Sequence, residues 1–114
     1  MLPKLHRLSK KDIDILFKQG EGFRTPLASI RTRHTQLPLA RFCILFTKAA
    51  KLGSIARNTI RRQAYTIIRE HLGEFEKETD YGIMISPTLA HYAHGTRRDA
   101  LKKILQTVAS NSQH

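Results

Sequence analysis

The sequence has one cysteine, no tryptophan, and only 9 acidic residues against 20 Lys plus Arg in a chain of 114. Each shortage excludes something. The lone Cys43 has no internal disulfide partner and lies inside the apolar run FCILF, so it reads as a buried core residue and implies a reducing compartment. No apolar run approaches the roughly 20 residues of a membrane helix. The opening MLPKLHRLSKK lacks the apolar segment of a signal peptide, so a cytoplasmic protein with no membrane attachment is expected. Linkers rich in Gly, Pro or Ser, internal repeats and low-complexity tracts are also missing, which predicts a single domain over 1–114 with one modest core. The shortage of acids leaves a formal charge of +11, which draws the chain towards polyanions, with nucleic acid the first expectation.

The acids that are present sit unevenly. From Gly22 to Arg69 there are ten Lys or Arg and no Asp or Glu, whereas Glu70 to Asp80 holds five acids and a single Lys77. The middle of the chain therefore builds the basic surface.

Local patterns place these charges on elements. Ser9 is a candidate cap for a first helix, with Asp12 three residues on, Ile13, Leu16 and Phe17 at helical spacing, and Gly20 at its end. Leu27 to Arg33 alternates, with Ala28, Ile30 and Thr32 on one face and Ser29, Arg31 and Arg33 on the other, as in a strand with one side in the core. Arg41 to Thr47 is nearly all apolar and suits a central strand covered on both faces. A basic loop with Lys48, Lys51 and Gly53 leads into a helix over 56–70. Glu74 to Thr79 reads as a polar connection, and Tyr81 to Ile85 as another buried strand. Thr96 is the candidate cap of a last helix in which Leu101, Ile104, Leu105 and Val108 recur at i, i+3, i+4 and i+7.

At about 100° per residue, the helix over 56–70 gathers Ala56, Ile60, Ala64, Ile67 and Ile68 on one side. Asn58, Arg62, Tyr65 and Arg69 gather on the other, with Arg57 and Arg61 near the border. An arginine ridge with one amide and one aromatic ring suits nucleic acid: guanidinium pairs with phosphate, Asn bonds to backbone or base edges, and Tyr stacks on an unpaired base. A merely solvated helix face would carry Asp or Glu at i±4 from its arginines, and this one does not.

The segment KLGSIARNTIRRQAYTIIRE resembles the signature of the bacterial ribonuclease P protein subunit, a basic, Gly-containing lead-in to Arg-Asn-Arg-x-x-Arg. The opening HRLSKKDIDILFKQGEGF is similar to that family's first helix and the short strand after it, ARFCILFTK to its central strand, and DYGIMISP to its last. Position by position, Arg57, Asn58, Arg61 and Arg62 match the motif, while Thr59 and Tyr65 stand where arginines are usual, and Arg69 with Glu70 supplies an Arg-Glu pair one turn late.

The resemblance implies an α+β fold, a two-layer α/β sandwich of order α-β-β-β-α-β-α with the Arg-rich helix on a mixed four-stranded sheet. Its crossover is left-handed, as in a known ribosomal protein domain and against the usual hand. It implies a protein that binds a large catalytic RNA and needs no protein partner. The complex removes the 5′ leader of precursor tRNA, with Mg²⁺ held by the RNA and the substrate and no catalytic residue in this chain. RNA binding falls to Lys48, Lys51, Arg57, Asn58, Arg61, Arg62, Tyr65 and Arg69. A cleft beside the first helix, with Phe17 at an aromatic position and Ile13 and Arg31 where other aromatics are usual, holds the leader, and Arg33 lies on the same basic strand face.

Two rival readings are an independent nuclease using His91 and His94, for which no convergent ligand set is visible, and a structural RNA-binding module such as a ribosomal protein.

Overall fold

The computed structural model describes residues 3–111. The elements run α1 (Lys10–Gln19), β1 (Glu21–Arg24), β2 (Ala28–His34), β3 (Arg41–Phe46), α2 (Ser54–Glu70), β4 (Thr79–Ile85), a single-turn α3 (Pro87–Ala90) and α4 (His94–Asn111), with 3-10 turns at Lys4–His6, Lys48–Ala50 and Leu72–Glu74. The expected order holds, with α3 added.

The sheet order is β1-β2-β4-β3, antiparallel except for the parallel pair β3 and β4. This corrects one expectation: β3 is an edge strand, and β4 is the inner strand. The apolar run of β3 is nonetheless covered, because both faces of the sheet carry helices and the start of its outer edge is paired. Leu8 donates from its backbone to Phe42 O at 3.0 Å, next to an isolated Arg7–Phe42 bridge. That pairing shortens the free ladder this edge would offer to another chain.

Alternation divides the sheet into two faces. Ala28, Ile30, Phe42, Ile44, Tyr81, Ile83 and Ile85 share one core with Ile60, Ala64, Ile67 and Ile68 of α2 and Leu101, Ile104, Leu105 and Val108 of α4. This is the two-layer sandwich. Phe75, in what reads from sequence as a polar connection, belongs to this core: its ring meets Phe42 edge-on at 4.9 Å, and Phe42 stacks on Tyr81 at 5.1 Å. The cap of α4 is also corrected. The helix begins at His94, so Thr96 lies within its first turn.

The opposite face carries α1. Ser9 Oγ accepts from Asp12 N and caps the helix as expected. Leu16, fully buried, lies over Gly82, where an added Cβ would come within 2.9 Å of Leu16 Cδ2 and 3.4 Å of Cys43 Sγ. At Gly20 an added Cβ would meet Leu16 O at 2.5 Å and Thr32 O at 2.8 Å. Two glycines thus let α1 lie close on the sheet, and it covers only part of that face.

Candidate nucleic-acid interface

The first part of the interface is α2. Gly53 caps it without a side-chain hydrogen bond and its first turn holds no acid, so the positive end of the helix is uncompensated beside Lys48 and Lys51, both exposed. Lys51 adopts φ 50, ψ 45, a left-handed conformation that closes the 3-10 turn and starts the approach to the helix. Arg57, Asn58, Arg62 and Arg69 are exposed along α2. Arg61 is half-buried: its guanidinium lies 5.4 Å from the Phe46 ring centroid and donates to Asn58 Oδ1 at 3.2 Å. The border position read from the helix angle is therefore real. Stacking on Phe46 fixes one of the arginines in place.

Tyr65 is the residue the structure moves. Placed by angle on the outward ridge, it is only 7% exposed and belongs to the core. The reason is the edge position of β3: the ring lies against that strand, beside Cys43 and Ile44, and not in solvent. Burial pushes its hydroxyl pKa up, while the charges of Arg61 and Arg7 oppose that shift. Tyr65 therefore supports the ridge from beneath. Arg7, which sequence reading did not single out, is exposed on the same edge and extends the basic surface from α2 towards α1.

The second part is the face beside α1. Ile13, Phe17, Arg31 and Arg33 are all half-buried there. Arg31 donates to Gly20 O at 3.1 Å, and its guanidinium carbon lies 5.9 Å from the Phe17 ring centroid. Phe17 and Arg31 thus form one wall. Arg33, two residues on, stands on the same face in register with Asp80. Beside this face lies a triad that sequence reading missed: Arg41 binds Asp80 through two bonds and Asp12 of α1 through a third, at 3.0 Å. The partners are 29 and 39 residues from Arg41, so no local pattern marks them.

Among the described residues the histidines do not converge. His91 Nε2 contacts Ala50 O at 3.1 Å, His94 Nδ1 lies 3.4 Å from Arg97 Nη2, and His71 pairs with Glu74. Among the described residues no group of three or more His, Cys, Asp or Glu is arranged to hold a metal ion. Cys43 is buried, and desolvation pushes its thiol up to about 12. No helix among the described residues is long and apolar enough to cross a membrane.

Comparison with known proteins identifies the family and the fold. No curated protein matches the sequence. Among solved structures, the chain is similar to a Staphylococcus aureus RNase P protein mutant with defective mRNA degradation activity (TM-score 0.78, 17% identity, covering 91% of this chain and 88% of that one). It is also similar to the RNase P protein from Thermotoga maritima (TM-score 0.74, 21% identity, 89% and 96% covered). At such identities these likenesses establish the fold. The family model described as Ribonuclease P matches residues 2–109, nearly the whole length, and the chain belongs to the ribonuclease P protein family.

Proposed function

We propose that this chain is the protein subunit of a cytoplasmic ribonuclease P ribonucleoprotein, binding the catalytic RNA through α2 and the 5′ leader of precursor tRNA through the groove beside α1. The observation that carries the reading is the exposed arginine face of α2, with no acid before Glu70, on the fold of that family. Guanidinium forks at fixed spacing hold phosphates and add affinity without reading sequence. The groove differs in kind: an aromatic ring with basic neighbours suits a single strand, whose bases stack while its backbone follows the charge.

Hydrolysis of the phosphodiester would use Mg²⁺ held by RNA and substrate, which stabilises the developing charge at phosphorus. The acids of this chain do not fit such a site. Asp12 and Asp80 converge, but on Arg41. The chain's part is to bind, orient and neutralise, and no further protein is needed for it.

Reconstitution tests the proposal. Added to a ribonuclease P catalytic RNA at limiting Mg²⁺, the protein is expected to accelerate removal of the 5′ leader, and to cut nothing alone. RNA copurifying with the protein should be one species of a few hundred nucleotides able to process precursor tRNA. Recovery of ribosomal RNA instead, with no effect on leader removal, would transfer the chain to the ribosomal reading.

A further inference from the structure

A second groove, about 460 Å³ in volume, lies on the far side of the sheet between α2 and α4. Thr66 and Glu70 of α2 line one wall, Arg98 and Lys102 of α4 the other, and Gln63 reaches it from within. The angular position of Thr66 on α2 lies between the ridge residues Arg62 and Arg69 and the face turned to α4. The ridge and this groove are therefore neighbours.

Beneath the groove is a buried arginine whose hydrogen bonds go to no carboxylate. Arg97, 7% exposed, donates to Gln63 Oε1 at 2.7 Å, Ala90 O at 3.2 Å and Tyr92 O at 3.0 Å, all neutral acceptors. Hydrogen bonds to neutral groups satisfy its donors but leave its charge uncancelled, and in a poorly screened interior that charge is felt at the surface above. Gln63 also donates to His94 O at 2.8 Å, so one buried amide ties the start of α4 to the middle of α2 and fixes the spacing of the two helices. Above this, Arg98 and Lys102 stand one helical turn apart, about 6 Å along the axis. The opposing acids are Glu70 on the α2 wall and Asp99, which approaches Arg98 Nε at 3.7 Å in an exposed pair. Exposed pairs of that length contribute little and exchange readily for a stronger anion. Arg98 and Lys102 line the groove against Glu70 alone, and buried Arg97 adds a further positive charge through its bond to Gln63.

We propose that the α2–α4 groove is a further RNA-binding surface, in which Arg98 and Lys102 take adjacent phosphates of the same catalytic RNA that the α2 ridge engages. Buried Arg97 supplies a fixed positive field beneath them. The proposal rests on the ribonuclease P reading for the identity of the RNA, while the surface itself is argued from the groove and its charges. It makes α2 a helix gripped by RNA along two sides.

The test compares two variants of the full chain with the catalytic RNA, by filter binding over a range of salt and by hydroxyl-radical footprinting. Arg98→Ala with Lys102→Ala changes side chains at the surface, and circular dichroism checks that the fold is retained. It is expected to weaken binding about tenfold, to lower the salt slope by about two phosphates, and to remove one patch of protection while leaving the rest. Unchanged affinity, slope and footprint would overturn the proposal. Arg57→Ala with Arg61→Ala, measured alongside, reports on the ridge separately. If the ridge variant loses affinity and the α4 variant does not, only the groove is wrong. If the ridge variant binds normally, it is the assignment of the ridge that fails.

Discussion

The guanidinium of Arg41 meets the carboxylate of Asp80 side-on across β3 and β4, with Nε to Oδ1 at 2.9 Å and Nη2 to Oδ2 at 2.8 Å. Asp80 is 1% exposed and Arg41 15%, so the pair is largely desolvated. The third bond, from Arg41 to Asp12, ties α1 to the sheet. Removing one member of such a pair strands the other, which costs about 3 to 5 kcal/mol. Asp80→Ala is therefore expected to lower the unfolding free energy by that order in a urea titration. A loss below about 1 kcal/mol would show that the Arg41–Asp80 pair contributes little to the fold.

The same triad has a pH signature. The Ser9 hydroxyl first, and Arg41 after it, hold the Asp12 carboxyl below its ordinary 3.8. A folded value below the unfolded one means stability that is present above about pH 4 and lost as pH falls through the lowered folded value. Because Asp12 is partly solvated, solvent screening keeps the effect under about 1 kcal/mol. The difference in stability between the protein and its Asp12→Asn variant should be visible at pH 6 and vanish in strong acid. A difference that grows on acidification would reverse the assignment.

Tyr65 separates a core role from an RNA contact. With the ring buried against the β3 edge, Tyr65→Ala should cost about 3 to 5 kcal/mol of stability. Tyr65→Leu keeps much of the apolar volume and should leave RNA affinity within about twofold once the folded fraction is known. A tenfold loss of affinity by a well-folded Tyr65→Leu variant would return the ring to the interface.

For the ridge, Arg57→Ala with Arg61→Ala is expected to weaken binding to the catalytic RNA by about 2 to 4 kcal/mol, at about 1 to 2 kcal/mol per charge-assisted contact. Arg61→Ala alone also forfeits the contact with Phe46, worth about 0.5 to 1 kcal/mol of stability at an exposed site. Binding by the unaltered protein should fall with salt at a slope matching about five or more phosphates. A flat salt response would contradict a phosphate-dominated contact.

Much of this architecture is legible in the sequence where the signal is local. Ser9 and Asp12 mark the start of α1, the alternation at Ala28, Ile30 and Thr32 sets which face of β2 meets the core, and the spacing of Ile60, Ala64, Ile67 and Ile68 orients α2. What escapes depends on partners distant in the chain. Period alone does not say that β3 is an edge strand, since an edge flanked by Leu8 and the buried Tyr65 ring is as apolar as an inner strand. Tyr65 follows from that edge, and Phe75 is core only because Phe42 and Tyr81 come to it. In the site, the basic ridge is visible because absent acids are a local fact. The Arg41 triad is invisible because its members meet only in the folded sheet.

The groove beside α1 yields the last prediction. Phe17 and Arg31 touch, so ring and guanidinium form one wall, and Arg33 continues the charge along the same strand face. A single strand of RNA laid there would stack a base at the ring, at about 1 to 3 kcal/mol per base, while its phosphates follow the arginines. If Phe17 were only core and the arginines only surface, their replacement would change stability and nothing else. Phe17→Leu with Arg31→Ala keeps most of the apolar volume but removes both ring and charge. The ridge on α2 is untouched by these changes, so assembly with the catalytic RNA should be normal. Measured by competition between precursor and mature tRNA at fixed Mg²⁺, the altered holoenzyme should lose about tenfold or more of its preference for the precursor. That loss should grow when the leader is lengthened enough to fill the groove and disappear when it is trimmed to one nucleotide. A preference that survives the double change places leader recognition elsewhere on the protein or wholly in the RNA.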